Sequence, residues 1–193
     1  MIRITELAQE QISRVVRQGA LVVDATAGNG RDTLFLARLV GPGGRVFAFD
    51  IQEGALQKTA SLLEENRLAE RVTLLHAGHE TMSAHIEAPV SAVMFNLGYL
   101  PGGDRAIVTR PESTRLALAA SLELLRPGGL ITVVLYPGHP QGQEEREIIV
   151  DYCRSLDSKV CRVVQVALLN CSGVPPELLV LKKFKEFAQK ELS

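Results

Sequence analysis

The stretch Leu21-Val22-Val23-Asp24-Ala25-Thr26-Ala27-Gly28-Asn29-Gly30-Arg31-Asp32-Thr33 constrains this chain more than any other. Aliphatic residues closed by an acid read as a short buried strand, the two glycines as a turn, and the residues from Arg31 to about Val40 as a helix. Without a Cβ, Gly28 and Gly30 let the backbone turn sharply at positive φ and lie close to a ligand. The helix that follows leaves its first N–H groups unpaired, ready for a carboxylate or a phosphate. Strand, glycine turn and helix N-terminus in this order build a nucleotide-type binding site.

The spacing narrows the nucleotide. A dinucleotide fingerprint, G-x-G-x-x-G, requires glycine where this chain has Thr33, and Asp32 stands just before it. An acid facing a pyrophosphate is electrostatically wrong, whereas it suits a ligand that carries an ammonium group. S-adenosylmethionine presents an ammonium, a carboxylate and a sulfonium in that region. A second acid, Asp50, ends the strand Arg45-Val46-Phe47-Ala48-Phe49-Asp50, about twenty residues past the turn. Its expected task is to chelate the two ribose hydroxyls. Capping of the helix by Asp24 or Asp32 is the alternative reading of those two acids.

Periodicity places the remaining elements. Helices are predicted over 5–17, 31–40, 53–68, 111–125 and 142–156, and strands over 20–24, 45–49, 72–76, 90–95, 130–136, 160–168 and 177–184. Gly41-Pro42-Gly43-Gly44 and Arg126-Pro127-Gly128-Gly129 read as helix stops. Alternating strands and helices imply an α/β fold, a doubly wound, seven-stranded, mostly parallel sheet whose last strands form a hairpin. In such a sheet ligands sit beyond the carboxyl ends of the strands, where the strand order reverses. That directs attention to the loops at 24–33, 50–53, 76–80 and 96–104.

Composition limits the function. The chain has 193 residues, enough for a single domain over 1–193, with 21 basic and 22 acidic side chains and a net charge of −1. No global field draws it to nucleic acid or membrane, so any RNA contact must be a local patch. Cys153, Cys161 and Cys171 fall in no C-x-x-C pair, which predicts free thiols in a reducing cytoplasm. No signal sequence and no membrane-length apolar run is visible. His76 and His79 have no cysteine partners at ligand spacing, so no metal site is expected.

Together with Phe49-Asp50-Ile51-Gln52, Gly78-His79-Glu80, Asn96-Leu97-Gly98-Tyr99-Leu100-Pro101-Gly102-Gly103-Asp104 and Tyr136-Pro137-Gly138-His139-Pro140, the glycine turn resembles the class I S-adenosylmethionine-dependent methyltransferases. Within them the chain is similar to the small bacterial family labelled "putative rRNA methylase". Its characterised members convert the 5-aminomethyl-2-thiouridine of the tRNA wobble position 34 to the 5-methylaminomethyl form, and the resemblance implies the same activity here. It also implies cofactor contacts by Asp24, Thr26, Gly28, Asn29, Gly30, Asp32, Thr33, Asp50 and Gln52, with His79 or Glu80 at the adenine.

Asn96-Leu97-Gly98-Tyr99 stands where amino-directed methyltransferases carry Asn/Asp-Pro-Pro-Tyr/Phe. There the amide oxygen accepts from the target nitrogen and the ring stacks on the base. Leu97 and Gly98 replace the prolines, while Asn96 and Tyr99 keep an acceptor and a stacking face. Asp104 and His139 are the candidates to take the proton of the amine or to position it. Arg105, Arg110 and Arg115 are candidates for anticodon phosphates, and Lys182, Lys183 and Lys185 form a second basic group. The partner implied is a tRNA anticodon stem-loop, with a homodimer plausible for sharing RNA contacts. Methylation of rRNA or of a small amine, and a non-catalytic cofactor-binding subunit, are the alternatives.

Overall fold

The structure is a computed structural model that describes residues 3–98, 109–138 and 140–185. Seven strands, β1 (Leu21–Asp24), β2 (Arg45–Asp50), β3 (Val72–His76), β4 (Val90–Asn96), β5 (Leu125–Leu135), β6 (Cys161–Val166) and β7 (Glu177–Lys183), form one sheet in the order β3-β2-β1-β4-β5-β7-β6. β1 to β5 run parallel, and β7 is antiparallel to both β5 and β6. The doubly wound sheet and its terminal hairpin are therefore as the alternation predicts. The central strands are near-continuous apolar runs because helices cover both faces; in β4 every residue but Asn96 is buried.

Among the described residues five α-helices, α1 (Ile4–Ser13), α2 (Arg31–Val40), α3 (Glu53–Glu65), α4 (Pro111–Leu124) and α5 (Pro140–Ser155), accompany the sheet. α1 buries Ile4, Ala8 and Ile12, one stripe at helical spacing. With α2 and α3 it covers one face, packing on Val22, Val46, Ala92, Met94, Val134 and Leu178. α4 and α5 cover the other, on Val93, Phe95, Ile131, Val133, Leu179 and Leu181.

Some boundaries differ from expectation for local reasons. α1 stops at Ser13, and the chain turns into β1 through Gly19 at φ 82. α3 ends at Glu65, with Arg67 in the left-handed region at φ 56. β5 starts at Leu125, before the Pro-Gly-Gly segment: Leu125 pairs with Val90, and the ladder then jumps to Ala92 opposite Leu130, leaving Arg126 to Gly129 as a bulge. A 3-10 helix over His79–Ala84 replaces the expected open turn. The strand order reverses between β1 and β4, so Asp24, Asp50, His76 and Asn96 all end strands on one edge of the sheet.

Candidate active site

The turn after β1 is built by its own side chains. Gly28 and Gly30 have φ of 54° and 79°. A Cβ on Gly30 would meet Thr59 of α3 at 2.9 Å from Oγ1 and 3.0 Å from Cα, so the turn and α3 approach through a glycine. Asp24 is buried and accepts from the amide of Thr26 (3.1 Å) and the hydroxyl of Thr33 (2.6 Å). Burial, and next the charge of Asp32, push the Asp24 carboxyl up to about 7, while the two hydrogen bonds oppose that rise. Asp24 and Thr33 thus brace the loop from below, with both side chains turned onto each other. Gly30, at the N-cap of α2, has no side-chain cap, which leaves the first turn of the helix open to a carboxylate.

Asp50 differs from Asp24 in that it is half-buried and faces the loop. Its Oδ2 accepts from the amide of Gly28 (2.8 Å) and its Oδ1 from the amide of Gln52 (2.8 Å). An ionised carboxylate has about four acceptor positions, so two amides fix its plane and leave capacity for a diol. Thr59 donates to the carbonyl of Gly28 (3.1 Å), closing the turn from the α3 side.

Asn96 joins the two halves of the site. Its backbone amide donates to Thr26 Oγ1 (2.8 Å) and its side-chain Nδ2 to Asp32 Oδ2 (3.3 Å), while Gln9 of α1 donates to Asp32 Oδ1 (2.7 Å). With Nδ2 turned to the Asp32 carboxyl, the amide oxygen faces the other way. Asn96 Oδ1 is then left buried with no hydrogen-bond partner among the described residues. Burial pushes the Asp32 carboxyl up, against hydrogen bonds from Gln9 and Asn96 and the charge of Arg31. Tyr136, just past β5, has its phenol pushed up by burial and next by the charge of Asp32.

Below the loop, His79 is buried with its ring edge-on to Phe95 at 5.7 Å between centroids. Its Nδ1 meets the carbonyl of Ala25 at 3.2 Å and so carries the proton, leaving Nε2 as a buried acceptor without a partner. Burial lowers its pKa, so the ring is neutral near pH 7. Glu80 is exposed, and His76 bonds the carbonyl of Ile51 at 3.0 Å. No group of three or more His, Cys, Asp and Glu among the described residues is placed to hold a metal.

Tyr99, Asp104, Arg105 and His139 lie outside the described residues. The two ends of the segment between Gly98 and Thr109 are nevertheless tied. Gly98 N donates to Thr109 Oγ1 (3.0 Å), Thr109 N donates to the carbonyl of Gly98 (3.2 Å), and Thr109 Oγ1 donates to Glu145 (2.7 Å). Thr114 of α4 donates to the other oxygen of Glu145 (2.8 Å), so a buried acid of α5 holds the base of that segment. Arg110 and Arg115 are exposed at the start of α4. Lys183 is corrected: strand alternation turns it to the α4 face, where it is buried with Nζ 3.5 Å from the carbonyl of Glu123, and only Lys182 and Lys185 remain exposed.

Gln9, Thr59, Tyr136 and Glu145 were not foreseen as site residues. Glu145 had a signal: it shares the four-residue spacing of the buried Ile149 and Cys153, an acid on an apolar stripe. Gln9 and Thr59 had none, since their partners are distant in sequence.

Comparison with known proteins gives the family. Residues 46–182 match the family described as "Putative rRNA methylase". The chain is 43% identical, over 93% of its length and 69% of the relative, to the chloroplastic tRNA (mnm(5)s(2)U34)-methyltransferase of Arabidopsis thaliana. The crystal structure of a "putative rRNA-methylase" from Clostridium thermocellum superposes with TM-score 0.94 and 46% identity, covering 95% of this chain and 99% of that one. A "putative methyltransferase" from Streptococcus mutans, in complex with SAH, gives TM-score 0.88 and 34% identity over 95% and 99%. A family match over most of the chain and relatives of this closeness place it in the rRNA methylase family of class I S-adenosylmethionine-dependent methyltransferases.

Proposed function

We propose that this enzyme methylates the aminomethyl nitrogen of 5-aminomethyl-(2-thio)uridine at the wobble position of tRNA, giving the 5-methylaminomethyl nucleoside. The observation that carries the amine-directed reading is the orphaned acceptor Asn96 Oδ1, held in place by Asp32 and Thr26. A buried acceptor without a partner costs about 1–3 kcal/mol, and an N–H of the substrate removes that cost. The wobble uridine comes from the Arabidopsis relative.

The residues present fit the cofactor. Asp50 would hold the ribose hydroxyls beside Gln52, the Gly28–Gly30 turn and Asn29 would border the methionine portion, and the uncapped N-terminus of α2 would meet its carboxylate. Asp24, Thr26 and Thr33 keep that turn in shape, and Asp32 orients Asn96. When bound, S-adenosylmethionine supplies the electrophilic methyl group. Asn96 accepts a hydrogen bond from the neutral amine and aims its lone pair, an alignment effect that accounts for much of such catalysis. Asp104 and His139 remain the residues nominated for the proton the amine must lose, and Tyr99 the one nominated to stack on the uracil. Arg105, Arg110 and Arg115 are assigned to anticodon phosphates.

The two free buried thiols, Cys153 and Cys161, support a reducing compartment such as the cytoplasm. Among the described residues no helix is long and apolar enough to cross a membrane. The test is in vitro methylation of unmodified-amine tRNA, rRNA and free amines, followed by nucleoside mass spectrometry. Conversion of the wobble 5-aminomethyl nucleoside supports the proposal, and methylation of rRNA or free amine alone overturns it.

A further inference from the structure

Past the edge of α1 no helix of the described residues lies over one face of the sheet. Gln11, Arg14 and Val15 of the α1 end, Leu130 of β5, Val180 and Lys182 of β7, Arg162 and Val164 of β6, and Phe184 enclose a groove of about 320 Å³. Its floor is apolar and its rim is basic. Two further cations hold lining residues from outside the groove, Arg126 donating to the carbonyl of Val15 (3.4 Å) and Arg17 to that of Arg14 (3.3 Å). Of the rim cations, Arg14 is paired with Glu10 (2.7 Å), whereas no ion pair of the described residues involves Arg162 or Lys182.

Arg162 and Lys182 are directly opposite each other in the β6–β7 ladder. Like charges in that position repel and weaken the sheet. Protection of an exposed edge would explain a cation on β6, but Lys182 is on the inner strand β7, between β5 and β6. The Arg162 guanidinium also lies over the half-exposed ring of Phe184, 5.5 Å from its centroid. Repelling cations beside an aromatic face suit phosphates next to a stacked base.

We infer that this groove is a second docking site for the substrate RNA, taking backbone phosphates on Arg162 and Lys182 and a base against Phe184. The inference rests on the RNA reading above. Leu130 pairs with Lys182, and β5 runs on to Leu135 at the active edge. Five strand steps span roughly 17 Å, so an RNA stem-loop with one base in the active site reaches the groove with phosphates further along its backbone. The groove then supplies affinity for the RNA body and leaves the transfer geometry alone.

The experiment compares wild type with Arg162→Ala/Lys182→Ala and with Phe184→Ala. Binding of a fluorescent anticodon stem-loop RNA is measured across salt concentrations, and methyl transfer to the free 5-aminomethyluridine nucleoside is measured alongside. The double variant should bind RNA about tenfold more weakly, with a salt slope smaller by roughly 1.4 for two lost single-strand contacts, while nucleoside methylation is unchanged. Phe184→Ala should weaken binding with the slope intact. An unchanged affinity and slope would overturn the groove. So would sedimentation showing that the double variant breaks a dimer, since the face then belongs to a second copy. The enzymatic reading fails separately, if the wild type binds the RNA but never methylates it.

Discussion

At the ends of β1 and β2 the carboxylate oxygens are all paired within the loops that close those strands: Asp24 with Thr26 and Thr33, Asp50 with Gly28 and Gln52. At the end of β4 the amide oxygen is not. Asn96 keeps a buried oxygen without a partner, and the segment after it is held by Glu145, an acid from a separate helix. The difference fits what each half is proposed to meet. A cofactor that is the same in every turnover is served by a preformed, self-satisfied loop, whereas an acceptor for the reacting nitrogen must be left free until that nitrogen arrives. The ends of β1 and β2 are therefore braced and the end of β4 is incomplete by one hydrogen bond, the cofactor half keeping its own unpaired acceptor only deeper, at His79 Nε2.

Substitutions can break this contrast from either side. The largest effect is expected from Asp50→Ala, which removes the proposed ribose acceptor and the partner of two backbone amides. Cofactor affinity measured by calorimetry should fall on the order of 100-fold, in line with two lost hydrogen bonds to a charged group, while RNA binding is retained. Gly30→Ala attacks the brace itself, placing a Cβ at positive φ within 3.0 Å of the Thr59 backbone. It should cost about 1–3 kcal/mol of stability by urea unfolding, and Thr59→Ser should return only part, because the backbone contact stays.

Glu145→Gln tests the other half. One of the hydroxyls of Thr109 and Thr114 must turn away from an amide nitrogen, at a cost of about 1–2 kcal/mol. Methyl transfer to tRNA should drop further than cofactor affinity does, and equal losses would make Glu145 a purely structural residue. A pH dependence is expected at Asp24. Its carboxyl is raised from 3.8 to about 7 in the fold. The native state therefore holds the proton more tightly, and this contribution is complete below about pH 4 and lost as pH rises toward 7. Asp24→Asn should flatten that decline in unfolding free energy between about pH 4 and pH 7. A slope as steep as that of wild type would show that Asp24 is not its source.

The braced half was legible in the sequence and the incomplete half only in part. α2 runs over Arg31–Val40 as its glycine turn and apolar stripe dictate, and Asp50 ends β2 where the acid predicts. Both rest on signals within a few residues. β5 was misjudged at its start, because Pro127-Gly128-Gly129 is read as a loop until the pairing of Leu125 with Val90 is known. The 3-10 helix over His79–Ala84 has no helical stripe to reveal it. Asn96 was visible as a polar end to an apolar strand, but its restraint by Asp32 and Gln9 depends on α1 and α2 meeting above it. Lys182 and Lys183 looked alike as a basic run, and only the alternation of β7 separates a surface cation from a buried one.

The most direct test of the division is Asn96→Ala, with cofactor affinity by calorimetry and methyl transfer to tRNA measured on the same preparation. Loss of an aligned acceptor should slow transfer roughly 100-fold and leave cofactor affinity near that of wild type. Parallel losses in both, or transfer at the wild-type rate, would contradict Asn96 as the group that receives the reacting amine.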